Sequence, residues 1–179
     1  MIVAELEKQR AETGINFITL SGGDPLWNDQ RDLCNLFTTL VDRDFKITVE
    51  TSGTISWLPY LYRGVNMILD YKVKSAGIKD GTKLFYDEKH LSALRKDDFI
   101  KFVVHDLEDY KEFKYVTEHL LDNTKATIAV GCFWGGELDT FSLFELLKKD
   151  CMLGKVTLNM QAHKMAISSN YKIEIPQKI

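Results

Sequence analysis

The chain has 179 residues, 45% apolar and 27% charged, with a formal net charge of −3, the make-up of one ordinary globular domain. Its basic residues are scattered rather than gathered on a face, which argues against a nucleic-acid or anionic-membrane binder, and no apolar run approaches the roughly 18 to 20 residues that span a bilayer. The three cysteines, Cys34, Cys132 and Cys151, are too widely spaced for a disulfide framework, and the four histidines form no ligand pattern, so a cytoplasmic setting and no metal site are the expectations.

Residues 1–13 read as a helix with Ile2 and Leu6 on one side, ended by Gly14. A strand-like run at 16–21 empties into Ser21-Gly22-Gly23-Asp24-Pro25. Glycine permits φ > 0 and close approach of backbone to a small molecule, Asp24 offers an acceptor, and Pro25 stiffens the exit. A helix is expected over 27–41, with Leu33, Leu36, Phe37 and Leu40 at helical spacing. Strands follow at 45–50 and 65–71, rich in β-branched residues. Residues 77–89, with Gly81, several charges and little periodicity, read as a surface loop or insertion. A strand at 99–105, a helix at 107–121 (Leu107, Tyr110, Phe113, Leu120), a strand at 126–132, a helix at 138–149 (Phe141, Phe144, Leu147) and a strand at 155–160 complete the chain.

Strands alternating with helices at this interval predict an α/β fold with parallel strands and right-handed crossovers, an open sheet or a partial barrel. In a strand-then-helix repeat a strand belongs before residue 1, so the chain is expected to begin one element late and to leave a hydrogen-bonding edge exposed on its first strand. Ligands of such folds bind at the carboxyl ends of the strands. Here those ends carry Ser21–Asp24, Glu50-Thr51-Ser52-Gly53, Asp70-Tyr71-Lys72 with Ser75, Lys101 to His105, Gly131-Cys132-Phe133, and Asn159 to Lys164. Each admits a plainer reading. A strand-to-helix turn with Asp24 at the helix start, a Glu50 or Asp70 paired with lysine, and small buried cysteines would give the same residues.

Taken together, TLSGGDPL at 19–26, VETSGT at 49–54, DYKVKSAG at 70–77, IKFVVHDLEDY at 100–110 and LNMQAHKM at 158–165 resemble the 7-carboxy-7-deazaguanine synthase family of radical S-adenosylmethionine enzymes, over nearly the whole chain. The resemblance implies a partial (β/α) barrel, here as its C-terminal portion, a single domain over 1–179 without the family's first strand and cluster loop. It implies radical ring contraction of 6-carboxy-5,6,7,8-tetrahydropterin to 7-carboxy-7-deazaguanine, in queuosine and 7-deazaguanine biosynthesis. A 4Fe-4S cluster, Mg2+, a reductant such as flavodoxin and a homodimer also come with the likeness. By the same likeness Gly22, Gly23 and Asp24 hold the amino group of S-adenosylmethionine, Glu50 lines the rim, and Ser75 and Gly131, Cys132 and Phe133 meet the nucleoside. Ser21, Gln161, His163 and Lys164 would face the pterin. Asp24 stands in place of the family's usual glutamate, Lys74 and Ala76 replace a proline and a second serine, and Gly131-Cys132 replaces Ser-Pro. No CxxxCxxC occurs, and a three-cysteine clamp needs its thiolates in one loop, so the chain by itself is expected to build no cluster and to be inactive. Two alternatives stand beside this reading: a cluster-free remnant serving as a ligand-binding or regulatory module, and another radical enzyme such as a glycyl-radical activating enzyme.

Overall fold

The computed structural model describes residues 2–62, 64–119 and 121–160. All six expected strands are present: β1 (Phe17–Leu20), β2 (Lys46–Thr51), β3 (Val65–Tyr71), β4 (Phe99–Val104), β5 (Thr127–Cys132) and β6 (Thr157–Leu158). They form one sheet in the order of the sequence, and every neighbouring pair is parallel. Sequential parallel strands joined by right-handed crossovers put every connecting helix on the same face. The burial pattern agrees, since Ile47, Val49, Met67, Leu69, Ile100, Phe102, Val104 and Val130 on one side of the strands are all buried. On the other side Thr48, Glu50, Asn66, Ile68, Asp70, Lys101 and Val103 are half-buried.

The helices are α1 (Ile2–Thr13), α2 (Gln30–Val41), α3 (Glu88–Ala93), α4 (Leu107–His119) and α5 (Thr140–Lys149). Several depart from the sequence expectation for identifiable reasons. α1 turns Val3 and Leu6 to the core and leaves Ile2 61% exposed, so the apolar pair sits at i, i+3 from Val3 rather than on Ile2. The segment expected as one helix from residue 27 divides into a 3-10 turn (Pro25–Trp27) and α2, because Asp29 caps α2 by accepting from the amides of Arg31 and Asp32 at 2.9 and 3.1 Å. On α4, Tyr110, Phe113, Val116 and Thr117 are buried while Leu107 is exposed; Leu120 lies outside the described residues. On α5 the buried side chains are Leu143 and Leu147, and Phe141 is 73% exposed. Asp139 accepts from the amide of Ser142 at 2.7 Å, and that cap fixes the phase of α5. The stretch expected as loop alone ends in α3, capped by Asp87 through the amide of His90 at 3.1 Å.

Two polar anchors tie the crossovers to the sheet. Asp98, fully buried, accepts from the amides of Met67 and Arg95 at 2.8 and 2.7 Å and from the Arg95 guanidinium at 3.0 Å. A buried carboxylate is tolerated when paired and hydrogen-bonded in this way. His90 joins Ser56 through Nε2 at 2.9 Å and Asp87 through Nδ1 at 2.8 Å, latching the segment after β2 to the start of α3. Gly131 must be glycine for space, because a Cβ there would lie 2.4 Å from the carbonyl oxygen of Asn159. Among the described residues no helix is long and apolar enough to cross a membrane. β1 and β6 are the two edges of the sheet, and Phe17 on β1 is 66% exposed.

Candidate functional site

All six strands being parallel, their carboxyl ends converge on one rim, and most of the chemistry-bearing residues sit there. After β1, Gly22 and Gly23 adopt φ of 88° and 60°. A Cβ on either would meet nothing within 4 Å, so these glycines serve conformation and leave their backbone open to a small molecule. Asp24, by contrast, is only 6% exposed. Its Oδ2 accepts from Ser52 Oγ at 2.7 Å, Ser52 N at 2.9 Å, Thr51 Oγ1 at 3.0 Å and, more weakly, Thr54 Oγ1 at 3.4 Å, while Oδ1 accepts from Leu26 N at 3.1 Å. The carboxylate therefore staples the glycine turn to the end of β2. Trp27 extends the staple, its Nε1 donating to Thr54 Oγ1 at 2.9 Å.

At the end of β3, Asp70 pairs with the Lys72 ammonium and, from β4, with Lys101 Nζ at 3.4 Å. The register that sets Asp70 opposite Lys101 puts both on the helix-free face. The Ser75 hydroxyl donates to Oδ2 of Asp109, a buried residue of α4, and the amide of His105 donates to the same oxygen at 2.9 Å. One carboxylate thus fixes the backbone after β3 and after β4 together. A cavity of about 460 Å³ opens between them, lined by Asp70, Lys72, Ser75, His105 and Phe133 among others. Phe133 leans on His105 with ring centroids 5.7 Å apart. Next to it Cys132 is half-buried, and that burial pushes its thiol up to about 11.

Glu50 lies elsewhere on the same face. It lines a second cavity of about 330 Å³ with Phe99, Lys101 and Asn159, below the strand ends rather than on the glycine turn. A larger cavity, about 740 Å³, lies on the helix side between the starts of α4 and α5, with Leu107 and Phe141 in its wall. It contains none of the residues to which the sequence assigned a binding role, and the strand-end rim is the better candidate on chemistry. Ser21 is exposed beside the glycine turn. Gln161, His163 and Lys164 lie outside the described residues.

Sequence reasoning missed the donors that hold Asp24, although Thr51, Ser52 and Thr54 stood inside a motif it had marked. It also missed Tyr86, which sits in the segment read as an insertion. The Tyr86 hydroxyl donates to the carbonyl of Ser52 at 2.7 Å and accepts from the amide of Lys72 at 3.0 Å. Its ring stacks on Tyr71 at 4.2 Å.

The cysteines do not converge. Cys34 is on α2, Cys132 ends β5 and Cys151 follows α5, and no group of three His, Cys, Asp or Glu able to hold a metal ion occurs among the described residues. The described residues fit a small-molecule rim, and among them no ligand set for an iron-sulfur cluster or a magnesium ion is brought together.

No family model matches the chain. In structure it is similar to QueE from Escherichia coli, with a TM-score of 0.60 at 20% identity, over 88% of this chain and 63% of that one. The fold shared with that structure is an open, sequentially ordered parallel β/α sheet, the architecture of a partial barrel. In sequence the chain is 29% identical over 162 residues to the 7-carboxy-7-deazaguanine synthase of Clostridium acetobutylicum, spanning 89% of this chain and 70% of the relative. It is 32% identical over 129 residues to the 7-carboxy-7-deazaguanine synthase of Koribacter versatilis, spanning 71% of this chain and 53% of the relative. Both of these relatives are 7-carboxy-7-deazaguanine synthases, and the chain spans 70% of one and 53% of the other.

Proposed function

We propose that the strand-end rim binds S-adenosylmethionine and the pterin substrate of a 7-carboxy-7-deazaguanine synthase, so that this chain supplies the ligand-facing part of the radical ring contraction of 6-carboxy-5,6,7,8-tetrahydropterin. The observation that carries the reading is the Gly22-Gly23 turn, open on its ligand side and stapled through Asp24 to the Thr51–Thr54 segment. Backbone groups of such a turn meet a ligand ammonium without a side chain in the way. Asp24 Oδ1, with a single protein donor, keeps an acceptor position for the same group. Ser75 and Phe133 line the cavity that would take the nucleoside. Glu50, a carboxylate acceptor in the neighbouring cavity of the same face, is assigned to the cofactor side, and Ser21, Gln161, His163 and Lys164 join the substrate side on the strength of the motif alone.

In this family the cluster and a reductant such as flavodoxin supply the radical chemistry. The residues of this chain supply position and charge. Because the cysteines are dispersed, a second reading is favoured by a specific observation: a ligand-binding module that works without iron. Calorimetry decides the common part. Saturable heat with S-adenosylmethionine, without iron, is expected, and its absence at millimolar ligand overturns the rim assignment. Iron-sulfur reconstitution then separates the two readings, since only the enzyme reading expects pterin turnover once cluster ligands are provided. Cleavage of S-adenosylmethionine without pterin turnover would instead indicate another radical class.

A further inference from the structure

We propose that Tyr86 is a positioning residue for the amino-acid half of the ligand, holding the segments after β2 and β3 in register; this rests on the S-adenosylmethionine reading above. A phenol offers one donor and one good acceptor direction, and Tyr86 spends them on two different rim segments: its O–H on the Ser52 carbonyl at 2.7 Å, its oxygen on the Lys72 amide at 3.0 Å. Both partners are connected onward. Ser52 donates twice to Asp24, which staples the Gly22-Gly23 turn. Lys72 carries an ammonium paired with Asp70 at the mouth of the 460 Å³ cavity. One segment thus presents an acceptor turn and the other a cation, and an amino-acid zwitterion has one group for each.

The contact is built rather than incidental. Tyr86 stacks on Tyr71 at 4.2 Å with planes 23° apart, and Tyr71 stacks in turn on buried Phe102 at 4.7 Å. A Cβ on Gly53 would lie 2.6 Å from the Tyr86 ring, so the tyrosine sits directly on the chain after β2. The amide of Phe85 donates to the Gly53 carbonyl at 2.8 Å, locking the neighbouring residue to the same place. Burial raises the phenol well above its ordinary range, which keeps the proton that Ser52 accepts across the working pH range.

The test is Tyr86→Phe, which keeps the stacked ring and removes only the hydroxyl. Titration calorimetry uses S-adenosylmethionine, which spans both segments, and 5′-methylthioadenosine, which lacks the amino-acid group. We expect Kd for S-adenosylmethionine to rise at least about fivefold while that for 5′-methylthioadenosine stays within about twofold. Tyr86→Leu, which also removes the ring, should weaken both ligands. Equal weakening of the two ligands by Tyr86→Phe would make Tyr86 merely structural, and no change in either would remove the role altogether; both outcomes overturn the proposal while leaving the rim assignment standing. A wild-type chain that takes up neither ligand defeats the S-adenosylmethionine reading, and this one with it.

Discussion

Replacing Asp24 by asparagine keeps its shape and changes how many donors it can satisfy. With the amide oxygen in the place of Oδ2, the bonds from Ser52 and Thr51 survive but lose charge assistance, and the amide nitrogen is left facing the Leu26 N–H that Oδ1 now accepts. Hydrogen bonds to a charged group contribute about 1.5–3 kcal/mol against about 0.5–1.5 for neutral ones, and an unsatisfied buried donor costs about 1–3. Relief of the desolvation of a carboxylate that is 6% exposed offsets part of this. A net loss of about 2–3 kcal/mol follows, which for a chain of this size lowers Tm by about 4–12 °C. Circular dichroism gives Tm, and the fluorescence of Trp27, hydrogen-bonded to Thr54 within the staple, should change in the folded variant. Asp24→Glu restores the charge but inserts a methylene into a filled site, so it should fall between the two. An asparagine variant melting within about 1 °C of wild type would refute the staple as a source of stability.

Three further outcomes are expected. Gly131→Ala should destabilise by about 2–3 kcal/mol through overpacking, because its methyl group would meet the Asn159 carbonyl at 2.4 Å; urea midpoints measure it, and faster amide exchange at Asn159, bonded to Val130 at 2.7 Å, locates it. Because β1 has an exposed outer edge with no charge or proline along it, the chain should self-associate with rising concentration in light scattering, and Thr19→Lys should reduce this; a monomer throughout would count against the edge. Cys132, with its thiol at about 11 rather than 9.0, should be alkylated more slowly than Cys151 at pH 8. Since its folded value is raised, the stability this thiol contributes is present below about pH 9 and lost as pH climbs through about 11. Equal labelling rates by mass spectrometry would contradict that burial.

The strands were legible because β-branched and aromatic residues cluster in them and their ends are marked by Gly, Asp and Asn. β3 runs over the residues expected, β1, β2, β4 and β5 differ by a residue at one or both ends, and β6 shortens from the six residues expected at 155–160 to Thr157–Leu158. Helix phase was less legible. In α5 the triplet Phe141, Phe144, Leu147 looked inward by spacing, yet the Asp139 cap starts the helix so that Leu143 and Leu147 face the sheet. α3 was invisible because a helix of six residues carries too few apolar positions to show a period. At the site, the motifs marked the right segments, but the bonds between them join residues 27 to 30 apart, and Tyr86 reaches Ser52 across 34. Such pairings depend on strand register and on how a loop folds back, which no local pattern encodes.

The strict sequential order of the sheet bears on how the chain is made. Each strand pairs with the one synthesised just before it, so a growing chain can add one β/α unit at a time to a template already in place, with no partner awaited from far downstream. Contacts of short sequence separation speed such growth, and domains of this kind assemble as units during synthesis. Adding a unit at either edge requires no rearrangement of the strands between, so a sheet of this order tolerates being lengthened, divided or completed by another polypeptide more readily than one whose strands interleave.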